Sequence, residues 1–253
     1  MNIQFLKTFF ILLVLQAIFF ATGQNGAIAQ APKAKLTEES IIKDSSGQVY
    51  NADLWKKLLM TGYYTLRAAE PSNEKSAFYL VRLSEEEREK RLSSSPKPKE
   101  TKNFTTGKEV SNFSITDIDG KKIKLKELKG KVIVLNFWFI NCPPCRAEMP
   151  ELNKLVADFK DSTNVVFLAI ALDERNALKD FFKKQPFYYT IIDDGRTVAQ
   201  QYGITSYPTH LIIDQEGKAY FHTSGGGATI SYWLRKSINE LIVINKPKEK
   251  VEN

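Results

Sequence analysis

The apolar run Val132-Ile133-Val134-Leu135-Asn136-Phe137-Trp138-Phe139-Ile140 leads into Cys142-Pro143-Pro144-Cys145, and a helix-like segment follows. An uncharged run of this kind suits a central strand covered on both faces. The strand must therefore hand over to a helix at the first cysteine. These are the only two cysteines in 253 residues. A chain that places its whole cysteine complement in one Cys-x-x-Cys points to dithiol–disulfide chemistry. A staple across so short a span closes almost no loop and constrains the unfolded chain little, so the pair reads as a reagent.

The N-terminus points to an oxidising compartment. Lys7 supplies a positive charge, Phe9 to Phe20 form an apolar core, and Ala27-Ile28-Ala29 is a small-x-small cleavage site. The core is about 12 residues, short of the roughly 20 needed to cross a bilayer. Residues 1–29 therefore read as a secretory signal, with an uncleaved anchor as the alternative. The protein is expected to be exported, to the periplasm or cell envelope of a bacterium. The net charge of +7 is spread over scattered lysines, with small clusters at Lys121–Lys122, Lys129–Lys131 and Lys246–Lys250. No compact basic block with interleaved aromatics occurs, which argues against nucleic acid as a partner.

Residues 30–103 read as an N-terminal accessory region and linker. The spacing predicts a helix over 53–60, with Leu54, Leu58 and Leu59 on one side. Short strands are expected over 63–66 and 77–81, and a helix capped by Ser84 from Glu85 to about Leu92. Clustered aromatics predict an ordered accessory subdomain over residues 38–92. Ser93 to Pro98 reads as a linker that lets it move. Residues 104–244 read as the main domain and 245–253 as a charged tail. A hairpin is expected across Asp119-Gly120. Further strands are expected over 164–172, 187–192, 211–214 and 219–223, with helices over 174–184, 197–202 and 230–242. Pro150 should kink the helix after Cys145. Alternating strands and helices closed by a hairpin predict an α/β fold, a central mixed sheet flanked by helices.

Cys142 falls at the strand-to-helix junction. Free N–H groups and the helix dipole there stabilise a thiolate, and such sites lower a cysteine pKa from about 8.5 to roughly 3.5–7.5. Cys142 is thus the expected nucleophile. Cys145, one turn on and less exposed, is the expected resolving thiol. The two prolines suit a first helical turn.

The segment from Asn136 to Pro150 resembles the active site of thioredoxin-like proteins of the TlpA/ResA type. Asp119-Gly120-Lys121 to Lys131 and Tyr202-Gly203-Ile204-Thr205-Ser206-Tyr207-Pro208-Thr209 fit the same pattern. The likeness spans about residues 104–244. It implies a thioredoxin fold and thiol–disulfide oxidoreductase activity in the bacterial cell envelope, with no cofactor. It implies that Pro208 is a cis-proline facing the cysteines and that Tyr207 offers backbone hydrogen bonds to substrate. Glu148 matches an acid that tunes the cysteines. Trp138 matches an aromatic supporting the turn. Asn141, Pro143 and Pro144 complete the expected docking surface. Asn141 stands where thioredoxin commonly has Trp, which makes that surface more polar. Asn136 replaces a buried acid, so no proton-relay role is expected there. The implied partners are disulfide-bearing envelope proteins and a membrane thiol electron donor.

Rival readings make different demands on the residues, and covalent haem would need His after Cys145, where Arg146 stands. A peroxiredoxin-like peroxidase needs Thr or Ser three residues before the reactive cysteine, where Phe139 stands. A Sco-type copper carrier needs a distant His beside the two thiols, and His210 and His222 are the candidates. A redox-inactive scaffold would be recognised through residues 38–92.

Overall fold

The computed structural model describes residues 33–244. The expected signal at 1–29, the first residues of the tether and the tail at 245–253 lie outside the described residues.

The accessory region has its own sheet. Ile42–Lys43 (β1), Tyr64–Ala68 (β2) and Phe78–Arg82 (β3) are ordered β1-β3-β2, with β1 parallel and β2 antiparallel to β3. Helix α1, Ala52–Met60, starts at Asn51, whose side chain accepts from the Leu54 amide. Its inward residue is Trp55, flanked by Leu58 and Leu59 at i+3 and i+4, while Leu54 is exposed. The apolar face is thus one residue away from the expected one: Trp55 takes the buried position. Ile42, Trp55, Phe78 and Leu80 form this small core. Helix α2, Glu85–Ser93, opens with a full capping box between Ser84 and Glu87.

The main sheet is built around Val132–Trp138 (β6), all seven residues of which are buried. Before it come the hairpin Ser114–Thr116 (β4) and Lys122–Lys124 (β5) and the 3-10 turn Leu125–Leu128. Asp117 Oδ1 accepts from the Asp119 and Lys121 amides, and Gly120 takes φ +92°, so the hairpin turn uses side-chain bonding and a left-handed glycine. After β6 come Pro143–Asp158 (α3), Val165–Ala171 (β7), Arg175–Phe182 (α4), Thr190–Ile192 (β8), Arg196–Gln201 (α5), Thr209–Ile213 (β9), Ala219–Ser224 (β10) and Ile230–Ile244 (α6). The strand order is β10-β9-β6-β7-β8. β7 and β8 run parallel to β6, while β9 is antiparallel to β6 and β10 antiparallel to β9.

The two-residue alternation of β6 fills two cores. Val132, Val134 and Trp138 face α3 and α6, meeting Leu152, Leu155, Leu234 and Ile238. Ile133, Leu135 and Phe137 face Leu125, Val198, Tyr202 and Ile204. Burying each such side chain contributes about 1.5–3 kcal/mol. The resulting fold is the thioredoxin-like one, and α3 runs through Pro150.

The accessory region is docked on α3. Arg88 Nη2 lies 2.6 Å from Glu151 Oε2, its guanidinium carbon is 4.4 Å from the Tyr63 ring centroid, and the Tyr63 hydroxyl donates to Glu151 Oε1 at 2.8 Å. The expected loose linker is instead strapped to the sheet. Thr223 Oγ1 donates to the Lys99 carbonyl at 2.9 Å, and Lys97 Nζ lies over the Phe221 ring. Its lysines are held because the edge strand β10 offers it a hydroxyl and an aromatic face.

Candidate active site

The end of β6 is tied to its neighbour before the chain turns into α3. The Leu172 amide donates to the Trp138 carbonyl, and the Ile140 amide donates to Asp173 Oδ2 at 2.7 Å. Cys142 is the N-cap of α3, with extended backbone angles and its carbonyl accepting the first helical bond from Arg146. Its Sγ accepts from the Cys145 amide at 3.3 Å. Pro143 and Pro144 occupy the first helical positions, where a missing N–H leaves no intrahelical bond unmade. Cys142 and Cys145 are joined as a disulfide, with Cα atoms 5.3 Å apart. They are 2% and 1% exposed, so in this oxidised form the expected difference in accessibility between them is absent.

The Tyr207–Pro208 peptide is cis. Thr209, directly after it, pairs with Phe137 on β6, and the Tyr207 ring meets the Phe139 ring edge-on at 5.5 Å. This places the segment beside the β6–α3 turn. The Pro208 carbonyl accepts from the Gly225 amide at 2.8 Å, which ties it to the loop Gly225-Gly226-Gly227. That loop presses on the start of α3: a Cβ on Gly226 would stand 3.0 Å from Pro144 Cβ and 3.4 Å from Glu148 Oε2. A side chain at this position would require Pro144 or Glu148 to give by a few tenths of an ångström. At its other end the same loop meets the accessory region, where a Cβ on Gly62 would stand 2.5 Å from Ala228 Cβ.

A polar cluster lies buried under α3. Glu148, Asn136 and His210 are all 6% exposed or less. Asn136 Nδ2 is 3.3 Å from both Glu148 Oε1 and His210 Nδ1, and His210 Nε2 is 3.0 Å from Glu148 Oε1. That last contact is short but off the direction of a linear hydrogen bond, since Nε2 has no well-aligned partner. The hydroxyl of Tyr189 is also buried nearby; burial, then the charge of Glu148, pushes it well above the usual tyrosine range. Asn136 carries no acid, as expected. Its position is nevertheless polar and connected, because Glu148 and His210 converge on it. Sequence reasoning treated His210 only as a metal candidate. The available signal was strand alternation: with Ile212 facing α3, His210 two residues earlier faces it as well.

Other expected site residues fall differently. Trp138 is fully buried against Phe181, Phe182 and Phe187, so it cannot touch a substrate surface; it is core beneath the turn. Asn141 and Pro143 are exposed, and Pro144 and Tyr207 are half-buried. His222 lies on the opposite face of the sheet from His210, against Phe104 and 3.3 Å from Thr106 Oγ1. The two histidines therefore do not converge on one metal site with the cysteines. Among the described residues there is no group of three or more His, Cys, Asp or Glu able to hold a metal ion. Nor is any described helix long and apolar enough to cross a membrane.

Known proteins resemble this chain in sequence and in fold. Residues 106–221 match the family described as AhpC/TSA. The thiol-disulfide oxidoreductase ResA of Bacillus thuringiensis subsp. konkukian is 40% identical over 121 residues, covering 47% of this chain and 69% of that protein. The ResA of Bacillus subtilis is 34% identical over 117 residues, covering 46% and 65%. Among solved structures, one from Chlorobium tepidum described as a thiol:disulfide interchange protein DsbE superposes with a TM-score of 0.51 at 26% identity, covering 55% of this chain and 99% of that one. Another from Bacteroides thetaiotaomicron, described as a protein disulfide isomerase, has a TM-score of 0.52 at 28% identity, covering 55% and 91%. With a strand-to-helix Cys-Pro-Pro-Cys, a cis-proline segment beside it and these relatives, the chain belongs to the ResA-type thioredoxin-like thiol-disulfide oxidoreductases.

Proposed function

We propose that this oxidoreductase is exported and reduces disulfides of cell-envelope proteins through Cys142 and Cys145. The observation that carries the reading is the placement of Cys142 as N-cap of α3, with its sulfur accepting from the Cys145 amide. A thiolate at that point is stabilised by the Cys145 amide, the first N–H that the two prolines leave in this turn, and by the positive end of the helix. In the reduced enzyme the Cys142 thiolate attacks a substrate disulfide. A Cys142–substrate disulfide forms and one substrate thiolate leaves. Cys145 loses its proton, and its thiolate attacks Cys142 Sγ; the second substrate thiolate is released and the Cys142–Cys145 bond closes. Two electrons pass to the substrate; one proton comes from Cys145 and the second from water. Tyr207, Asn141, Pro143 and Pro144 form the docking edge, and Glu148 handles the proton of Cys145, three residues before it on the same buried side of α3.

Export rests on the signal-like residues 1–29, and continued turnover needs a membrane thiol donor to reopen the disulfide. Cys142→Ser should abolish disulfide reduction, while Cys145→Ser should trap mixed disulfides with partners. Normal turnover by the Cys145 variant, or faster alkylation of Cys145 than of Cys142, would reverse the assignment. The direction is read from the reduction potential. A value near about −270 mV fits a reductant, and one near about −120 mV fits an oxidant and overturns the proposal.

A further inference from the structure

The buried cluster under α3 contains a histidine for which the exchange chemistry described above has no use. We propose that His210 is a positioning residue for Glu148, holding one carboxylate oxygen so that the other exchanges the proton of Cys145. The inference rests on the reading of Cys142 and Cys145 as the exchanging pair.

Bond accounting assigns the protons. Asn136 Nδ2 carries two hydrogens and has two neighbours at 3.3 Å, Glu148 Oε1 and His210 Nδ1. Turning the amide over would set Oδ1 against the carboxylate, so the nitrogen faces the pair. Donation to Nδ1 makes that atom an acceptor. A neutral His210 then carries its hydrogen on Nε2, 3.0 Å from Glu148 Oε1. Oε1 thus accepts from Asn136 on β6, and the Nε2 edge of His210 on β9 stands against it at 3.0 Å without a linear bond in this oxidised form. Oε2 is buried and has no partner. It lies toward the loop and Pro144, since a Cβ on Gly226 would stand 3.4 Å from Oε2 and 3.0 Å from Pro144 Cβ. An arriving proton therefore goes to Oε2, because Oε1 is already shared and Nδ1 is occupied. In the exchange step Cys145 Sγ–H gives its proton to Oε2 as its electron pair closes on Cys142 Sγ. Glu148 later returns the proton toward the released substrate thiolate.

The titratable groups facing Glu148 are Cys145 on its own helix, His210 on β9 and Tyr189 just before β8. Asn136 on β6 is polar but does not titrate, and the glycine loop brings no charge. Removing the His210 donor should therefore be felt directly by the carboxylate.

The test uses the full mature chain. In protein labelled with 15N at histidine, neutral His210 should show its hydrogen on Nε2 and a bare, accepting Nδ1. An Nδ1–H tautomer overturns the proposal, and this measurement needs no variant to fold. His210→Leu should slow insulin-disulfide reduction about tenfold at unchanged secondary structure. His210→Gln, which can return an N–H to Oε1, should bring the rate most of the way back. Glu148→Gln should make His210→Leu silent in the pH profile of insulin-disulfide reduction. An unchanged rate in a folded His210→Leu protein overturns the idea. If the rate falls while Cys142→Ser still reduces insulin, the proposed exchange chemistry is at fault and the positioning role stands.

Discussion

Glu151→Ala is expected to release the accessory sheet while leaving the thioredoxin-like core intact. Arg88 and Glu151 face each other at 2.6 Å with side chains only 8% and 12% exposed. Removing one member of a buried pair costs about 3–5 kcal/mol, because the other charge is left without a partner. Two features reduce this. Arg88 keeps Glu85 at 3.9 Å and Glu89 at 3.7 Å, and it keeps the Tyr63 ring. Against that, Tyr63 loses the carboxylate it donates to, worth about 1 kcal/mol. The net expectation is about 2–3 kcal/mol of docking free energy. Because two cores are involved, a single global transition is the wrong measure. Amide hydrogen exchange resolved along the chain is the assay. Amides of 64–82 should exchange at least about 30-fold faster, the factor that 2 kcal/mol implies, while β6 and β7 keep their protection. A change below about threefold at 64–82, or equal loss in β6 and β7, would refute the reasoning. The same contact should weaken in acid. Burial alone would raise the carboxyl pKa of Glu151, but the hydrogen bonds from Lys154 and Tyr63 and the charge of Arg88 outweigh it and hold the value below the usual carboxylate range. A depressed folded value means that the stabilisation is complete above the unfolded value near about 4.3 and is lost as pH falls through the folded one.

Three further outcomes follow from single contacts. Gly62→Ala meets Ala228 Cβ at 2.5 Å with φ at +75°, so it should cost about 1–3 kcal/mol, read as faster amide exchange over 64–82. Gly226→Val pushes on the Pro144 backbone and Glu148 and should slow disulfide exchange severalfold at unchanged secondary structure; an unaltered rate would show that the loop does not constrain the site. Burial chiefly, with help from Lys97, holds the His222 pKa below its usual value, against the pull of Glu100. The unfolded chain therefore takes up the proton first, and stability should fall as pH drops below about 6.5; denaturant titrations of His222→Gln should lack that component.

Local chemistry explains why so much of the fold could be read in advance. The uncharged run into Cys142 allows one placement, a central strand, and Ser84 followed by Glu87 states a helix start in its own side chains. What escaped depends on partners far away in the chain. β1 is two residues long and exists because β3 offers it an edge. In α1 the choice between Leu54 and Trp55 as the inward residue is made by the sheet beneath, since both fit a helical spacing. The lysine- and proline-containing stretch after Ser93 has a linker's composition, yet Thr223 and Phe221 hold it.

The site divides in the same way. Cysteine spacing and the prolines are local, so the strand-to-helix placement of the cysteine pair is legible from its own residues. The polar cluster beneath it is set by register: Asn136 lies opposite His210 only because β9 runs antiparallel to β6 with Phe137 against Thr209. A shift of one residue would turn His210 away from Glu148 and bring Leu211 to its place. The proline segment therefore does two things through one strand. Pro208 precedes the start of β9 beside the β6–α3 turn, and the same start sets which side chain reaches the acid under α3. Changes at Pro208 that move the strand should accordingly disturb proton handling at Glu148 as well as substrate docking, although Pro208 carries no titratable group.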